Sequence, residues 1–120
     1  MKLAVVGSRG YPLPGLVRHF IQEIAHRSPD TVIISGGARG VDTWAADAAR
    51  LCGLTVVVFP ADWDQHGKAA GFVRNTQECD VLLAFWDSTS RGTLDPVRKA
   101  RKAGKKVRVL GPLGTMVDVL

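Results

Sequence analysis

Residues 31–52, TVIISGGARGVDTWAADAARLC, carry the reading on which the fold turns. Thr31–Ser35 is a short apolar, β-branched run without polar alternation, the pattern of a strand buried on both faces. Gly36, Gly37 and Gly40 follow at once. From there Val41, Trp44, Ala45, Ala48 and Cys52 recur at helical spacing over residues 41–52. A strand, a glycine-rich turn and a helix in that order make one unit of an α/β sheet.

The same alternation extends in both directions. Leu3–Gly7 (LAVVG) reads as a strand, and residues 15–27 as a helix with Leu16, Val17, Phe20, Ile21, Ile24 and Ala25 on one face. Thr55–Phe59 is a third strand, 68–79 a helix, Val81–Phe85 a fourth strand, 93–103 a helix and Lys106–Leu110 a fifth strand. The tail from Gly111 shows no clear pattern. Continuously apolar strands separated by helices predict a parallel sheet covered on both faces, with right-handed crossovers. The expected fold is an α/β, Rossmann-like three-layer sandwich with a five-stranded parallel sheet. A length of 120 residues predicts one domain, 1–120.

Composition agrees with a globular chain: 46% of residues are hydrophobic and 22% charged. No apolar run approaches the roughly 20 residues of a membrane helix. The opening MKLAVVGSRG is too short in apolar residues for a signal peptide, so a cytoplasmic protein with no membrane partner is expected. Cys52 and Cys79, read as helix ends, are expected as buried reduced thiols. No His or Cys stands near them at ligand spacing, so no metal is expected. The formal charge is +5, unevenly spread. Residues 97–108, VRKARKAGKKVR, hold seven basic and no acidic residues, leaving nine basic (16 less 7) against eleven acidic elsewhere. These cations either favour the dipole at a helix C-terminus or meet an anionic partner such as nucleic acid.

Ligands of such sheets sit beyond the carboxyl ends of the strands, near a topological switch point. The first exit loop holds Gly7, Ser8, Arg9 and Gly10. The second, Ser35 to Asp42, has three glycines and Arg39 before a helix whose free N–H groups make an anion site. A tight turn alone would need one glycine. Asp42 either caps that helix or holds a ribose hydroxyl. The third loop carries Asp62, for a hydroxyl, and Trp63, which stacks on a base or lids the core. Lys68 opens the next helix against its dipole, and Arg74 and Asn75 on that helix are either solvated or reach the ligand from the side. The fourth loop offers Asp87, Ser88, Thr89, Ser90, Arg91, Gly92 and Thr93, with Thr93 either an N-cap or a ligand hydroxyl. Loops two and four are expected on adjacent strand ends, facing each other. The fifth, Gly111-Pro112, is plain. There is no GxxxxGK[ST] loop, no GxGxxG after the first strand and no GxSxG elbow. No cofactor is expected.

SGGARGVD, FPADW, GKAAGFVRN, AFWD and SRGT, with the opening GSRG, together resemble the YspA/cpYpsA-related branch of the SLOG superfamily, over about residues 3–110. The superfamily also contains the Lonely Guy phosphoribohydrolases and the DNA-processing protein DprA. The resemblance implies a Rossmann-like sheet, a nucleotide or nucleotide-derived ligand, and a dimer or larger homo-oligomer. Trp44 or the tail Met116–Leu120 would supply the oligomer contact. Against the Lonely Guy pattern, Gly36, Gly37 and Gly40 match the glycine loop, Arg74 matches the arginine before the fourth strand, and Gly92-Thr93 match its Gly-Thr pair. The Pro-Gly-Gly of that motif is absent, and its acidic position is Pro96, with Asp95 one residue early. On a helix that is a rotation of about 100°.

Three functions follow. The first is a nucleotide-binding sensor or processing protein, with Arg9, Arg39 and Arg91 as counter-charges. The second is a nucleoside 5′-monophosphate phosphoribohydrolase, with Arg74 on the phosphoribosyl group and Asp95 or Asp87 assisting cleavage. The third is single-stranded DNA binding, as in DprA.

Overall fold

A parallel strand must bury both faces, and the side chains of this sheet divide between two cores accordingly. In the computed structural model, residues 1–37, 39–58, 79–89 and 91–117 are described, without the side chains of residues 91, 92 and 95. The elements run β1 (Lys2–Gly7), α1 (Pro14–Arg27), β2 (Val32–Ser35), α2 (Val41–Leu51), β3 (Thr55–Val58), β4 (Val81–Phe85), α3 (Arg91–Lys102) and β5 (Lys106–Leu110). All strand pairs are parallel, in the order β3-β2-β1-β4-β5. This is the expected five-stranded Rossmann-like sandwich. Leu3, Val5, Ile33, Leu83 and Phe85 face α1 and α2, whereas Ala4, Val6, Ile34, Leu82, Ala84 and Val109 pack with Val97 and Ala100 of α3. The helix read over 68–79 lies outside the described residues, apart from Cys79 just before β4.

Local chemistry sets the helix ends. α1 starts at Pro14, whose missing N–H costs nothing in a first turn, and closes on His26 and Arg27 at its negative end. α2 follows Gly40, whose φ of 82° lies in the left-handed region. A side chain at Gly40 would also meet the Arg9 carbonyl oxygen at 2.8 Å. At Gly7 an added Cβ would lie 2.5 Å from the Val41 side chain. The end of β1 and the start of α2 therefore touch through positions that tolerate only hydrogen.

Several expectations need correction. Loops two and four are not neighbours, because β1 stands between β2 and β4. Cys52 is exposed, not inward, because it follows the last turn of α2; Cys79 is buried. The tail has a pattern after all. Gly111 N–H donates to the Thr115 carbonyl, Leu110 bridges Met116, and Val117 N–H donates to the Val109 carbonyl. Residues 116–117 thereby cover part of the outer edge of β5, which would otherwise be an open pairing edge. Trp44 is half-buried against the α1–α2 core. No described helix is long and apolar enough to cross a membrane.

Gly7→Ala should cost about 1–3 kcal/mol, the range for overpacking a filled site. Val41→Ala in the same chain should return part of that loss. Urea denaturation of both singles and the double checks it, and strict additivity would exclude the contact as the cause.

Candidate functional site

At the junction of β1 with β4 the sheet order reverses, and the chain leaves β1 towards one face and β4 towards the other. A crevice is expected at such a point. Ser8 joins its walls. Its N–H donates to the Phe85 carbonyl at 3.0 Å, extending the β1–β4 pairing by one residue. Its hydroxyl accepts the Asp87 N–H at 3.1 Å and lies 3.1 Å from the Thr93 hydroxyl, either of which is the donor. Ser8 and Thr93 are 2% and 3% exposed, so these groups have little access to water in place of their bonds. With the Gly40–Arg9 approach, the exit loops of β1, β2 and β4 form one connected rim.

This geometry revises several assignments. Thr93 is not the N-cap of α3: the helix starts two residues earlier, at Arg91, and Thr93 turns inward to Ser8. Asp42 is not the cap of α2 either, since Gly40 holds that position; Asp42 sits buried in the first turn. Ser35 is also buried, accepting the Gly37 N–H at 3.2 Å and facing the Asp42 carbonyl at 3.5 Å. Gly37 and Gly40 both have positive φ, so two of the three loop glycines meet a backbone requirement of the turn itself. Arg9 and Arg39 are exposed on the rim, and Gly36 is half-buried. Asp62, Lys68, Arg74, Asn75 and Ser90, like the Trp63 side chain, lie outside the described residues, as do the side chains of Arg91 and Asp95 and the surroundings of Gly92. Among the described residues no group of three or more His, Cys, Asp or Glu gathers as a metal site.

The two helix ends at the rim differ electrostatically. The first turn of α2 carries Asp42, whereas that of α3 carries no acid. An anion at α2 faces a helix whose first turn already carries a carboxylate, while the first turn of α3 carries none and the Asp87 carboxylate of the preceding loop is occupied by a backbone N–H. Beside α3, the Asp87 carboxylate accepts the Thr89 N–H at 3.0 Å and Ser88 is held at a φ of 72°. A non-glycine residue there costs about 1–3 kcal/mol, a strain that clusters at functional sites.

Sequence patterns gave no warning of Tyr11, which supports the rim from below. It is 2% exposed, stacks edge-on with Phe85 at 5.4 Å between centroids, and donates its hydroxyl to the Gly111 carbonyl at 2.8 Å. The fifth exit loop is thus less plain than expected. Burial raises the Tyr11 phenol above its ordinary 10.0. Burial also raises the Cys79 thiol, with Lys105 opposing the shift.

Ser8→Ala should lose about 1–3 kcal/mol, because the Asp87 N–H is left without its acceptor. Thr93→Val should lose less, and the double variant should cost less than the sum of the singles, read by chemical denaturation. Tyr11→Phe should also destabilise by about 1–3 kcal/mol at neutral pH. The raised folded value means that this contribution is full below pH 10 and is lost as pH rises through the folded value. The gap between wild type and Tyr11→Phe should therefore narrow above pH 10. Tyr11 is the single tyrosine of the chain, so ultraviolet difference absorbance reads its titration directly.

Comparison with known proteins adds three kinds of likeness. Residues 1–66 match the YspA, cpYpsA-related SLOG family. The Gene 61 protein of Mycobacterium phage D29 is 38% identical over 113 residues, covering 86% of this chain and 90% of that protein. Among solved structures, the Moco carrier protein of Chlamydomonas reinhardtii superposes with a TM-score of 0.69 at 23% identity, over 91% of this chain and 75% of its own. DNA processing protein A of Streptococcus pneumoniae gives 0.67 at 23% identity, over 91% of this chain and 50% of its own. That of Helicobacter pylori, described for its single-stranded DNA binding mode, gives 0.62 at 25% identity, over 92% and 65%. The chain thus spans from half to about two-thirds of the length of the two DNA processing proteins.

Proposed function

Because the chain belongs to the YspA, cpYpsA-related SLOG family, we propose that its β1/β4 rim binds a phosphorylated nucleotide or nucleotide-derived ligand, as a sensor or processing protein. One observation carries the reading: the acid-free N-terminus of α3 lies at the topological switch point, tied to the exit loop of β1 through Ser8 and Thr93. The phosphate is assigned to α3 and the β4 exit loop, with Asp87, Ser90, Arg91, Gly92 and Thr93 and the exposed Arg9 and Arg39 around it. The rim backbone at Gly7, Gly36, Gly37 and Gly40 approaches the ligand, and the buried hydroxyls of Ser8, Ser35 and Thr93 hold the loops in place. Asp42 and Asp62 are assigned to sugar hydroxyls, Lys68 and Asn75 to the side of the crevice. All described strands share one sheet, which supports reading 1–120 as one domain. Half-buried Trp44 and exposed Met116 are assigned to a homo-oligomer contact, tested by sedimentation of Trp44→Ala and Met116→Ser.

Binding is favoured over hydrolysis by one position. Pro96, where the Lonely Guy motif has its acid, is buried within α3 and supplies no carboxylate. A phosphoribohydrolase would depend on Arg74 with Asp95 or Asp87. Single-stranded DNA as the rim ligand is a second reading, favoured by the likeness to the Helicobacter pylori protein.

A thermal-shift screen against AMP, ATP, NAD, ADP-ribose, cyclic nucleotides and a short oligonucleotide tests these readings. A nucleotide at 100 times its dissociation constant should stabilise the protein by about 2.7 kcal/mol. Arg9→Ala with Arg39→Ala should weaken the shift. Release of free base, lost in Arg74→Ala, would make the protein a hydrolase; no shift with any nucleotide would end the nucleotide reading.

A further inference from the structure

The seven cations of residues 97–108 do not lie at the rim. α3 begins at the carboxyl edge of the sheet and runs back to the start of β5, so Arg101 and Lys102 in its last turn lie towards the opposite edge. Lys105 and Lys106 follow at that edge, where Lys106 is in register with Val81 at the start of β4. Alternation then spreads the charge around the outermost strand. Val107 and Val109 turn inward to α3, so Lys106 and Arg108 share the other face with Leu110. Lys102, Lys106 and Arg108 are exposed. The cations therefore wrap the outer strand from both sides of the sheet.

Two structural accounts cover part of this pattern. Cations in the last turn of α3 favour its dipole, and charged residues on β5 guard an edge strand. Neither calls for a run of seven without one acid while the remaining residues carry more acid than base. Like charges at Arg98–Lys102 and Lys99–Lys102 spacing disfavour the helix by a few tenths of a kcal/mol each. The nearby carboxylate of Asp80 already accepts the Lys2 backbone N–H at 2.8 Å. Among the described residues, no carboxylate lies within ion-pair distance of Arg101, Lys102, Lys106 or Arg108.

We propose that this basic edge, formed by the end of α3 and the start of β5, is a second binding surface, for the phosphate backbone of nucleic acid. Charge complementarity selects the occupant. A polymer with regularly spaced phosphates satisfies separated cations that curve around one strand, whereas a mononucleotide reaches only one or two of them. Binding here is independent of base sequence, because it uses charge alone, and falls steeply with salt through counterion release. It does not rest on the nucleotide reading of the rim, which lies at the other end of the strands.

Fluorescence anisotropy of a labelled single strand of about 20 nucleotides, from about 50 to about 200 mM salt, tests the surface. The expected result is measurable affinity at low salt that falls at least tenfold across this range. Lys102→Gln with Lys106→Gln should reduce the salt slope by about 1.4, or 0.7 per lost phosphate contact. The same double variant should keep the urea-denaturation midpoint of the wild type, which shows that it folds whether or not the rim takes a nucleotide. Arg9→Ala with Arg39→Ala should leave the salt slope unchanged. Three outcomes would overturn the proposal: no binding at low salt, binding that only the Arg9 and Arg39 variant weakens, or tighter binding to phosphatidylserine vesicles or polyglutamate than to the oligonucleotide.

Discussion

Where β1 and β4 part, the chain has to leave the sheet towards opposite faces while its last backbone groups still need partners. Ser8 resolves this with one residue. Its N–H continues the ladder to Phe85, and its hydroxyl takes up the Asp87 N–H and meets Thr93. Leaving such a group without its partner costs more than the bond contributes when made, so the start of α3 and the end of β1 hold each other's position. On the other side, Gly7 and Gly40 let α2 come down onto the same strand end. The rim is a consequence of these close approaches, and any ligand there meets a surface whose polar groups are already oriented.

The glycines gain a second meaning in this setting. Their density after β2 is consistent with a phosphate loop, but Gly40 is required by its left-handed φ and by the Arg9 carbonyl. The electrostatic difference between the two helix ends is a sharper guide than the glycine count. A buried acidic residue in the first turn of α2 already answers the helix dipole. The first turn of α3 leaves that place open.

The molecule is also polar in charge along its strands. Arg9 and Arg39 stand at the carboxyl edge, within the part of the sequence whose acids slightly outnumber its bases. The concentrated positive charge lies at the amino edge, around β5. Exposed charges separated by more than about 8–10 Å are largely screened at physiological salt, so the two ends act on their surroundings separately.

Much of the architecture was legible along the chain. Val81–Phe85 stands where its apolar run predicts, Lys106–Leu110 is a strand over the expected residues, and α1 and α2 begin and end within a residue or two of the expected positions. Each of these signals is local: an apolar run, a helical period or a glycine marks an element through its own burial and backbone preference. Strand order is not local. The chain pattern is the same whether β4 lies beside β1 or elsewhere, and only the assembled sheet puts β1 between β2 and β4. The inward turn of Thr93, the exposure of Cys52, the anchoring of Tyr11 on Gly111 and the separation of the basic edge from the rim follow from that assembly. Which segments become buried strands and helices is written along the chain, because burial acts residue by residue. Which loops meet is fixed only on assembly, because it depends on contacts between residues as far apart as Ser8 and Thr93, whose partnership no local pattern encodes.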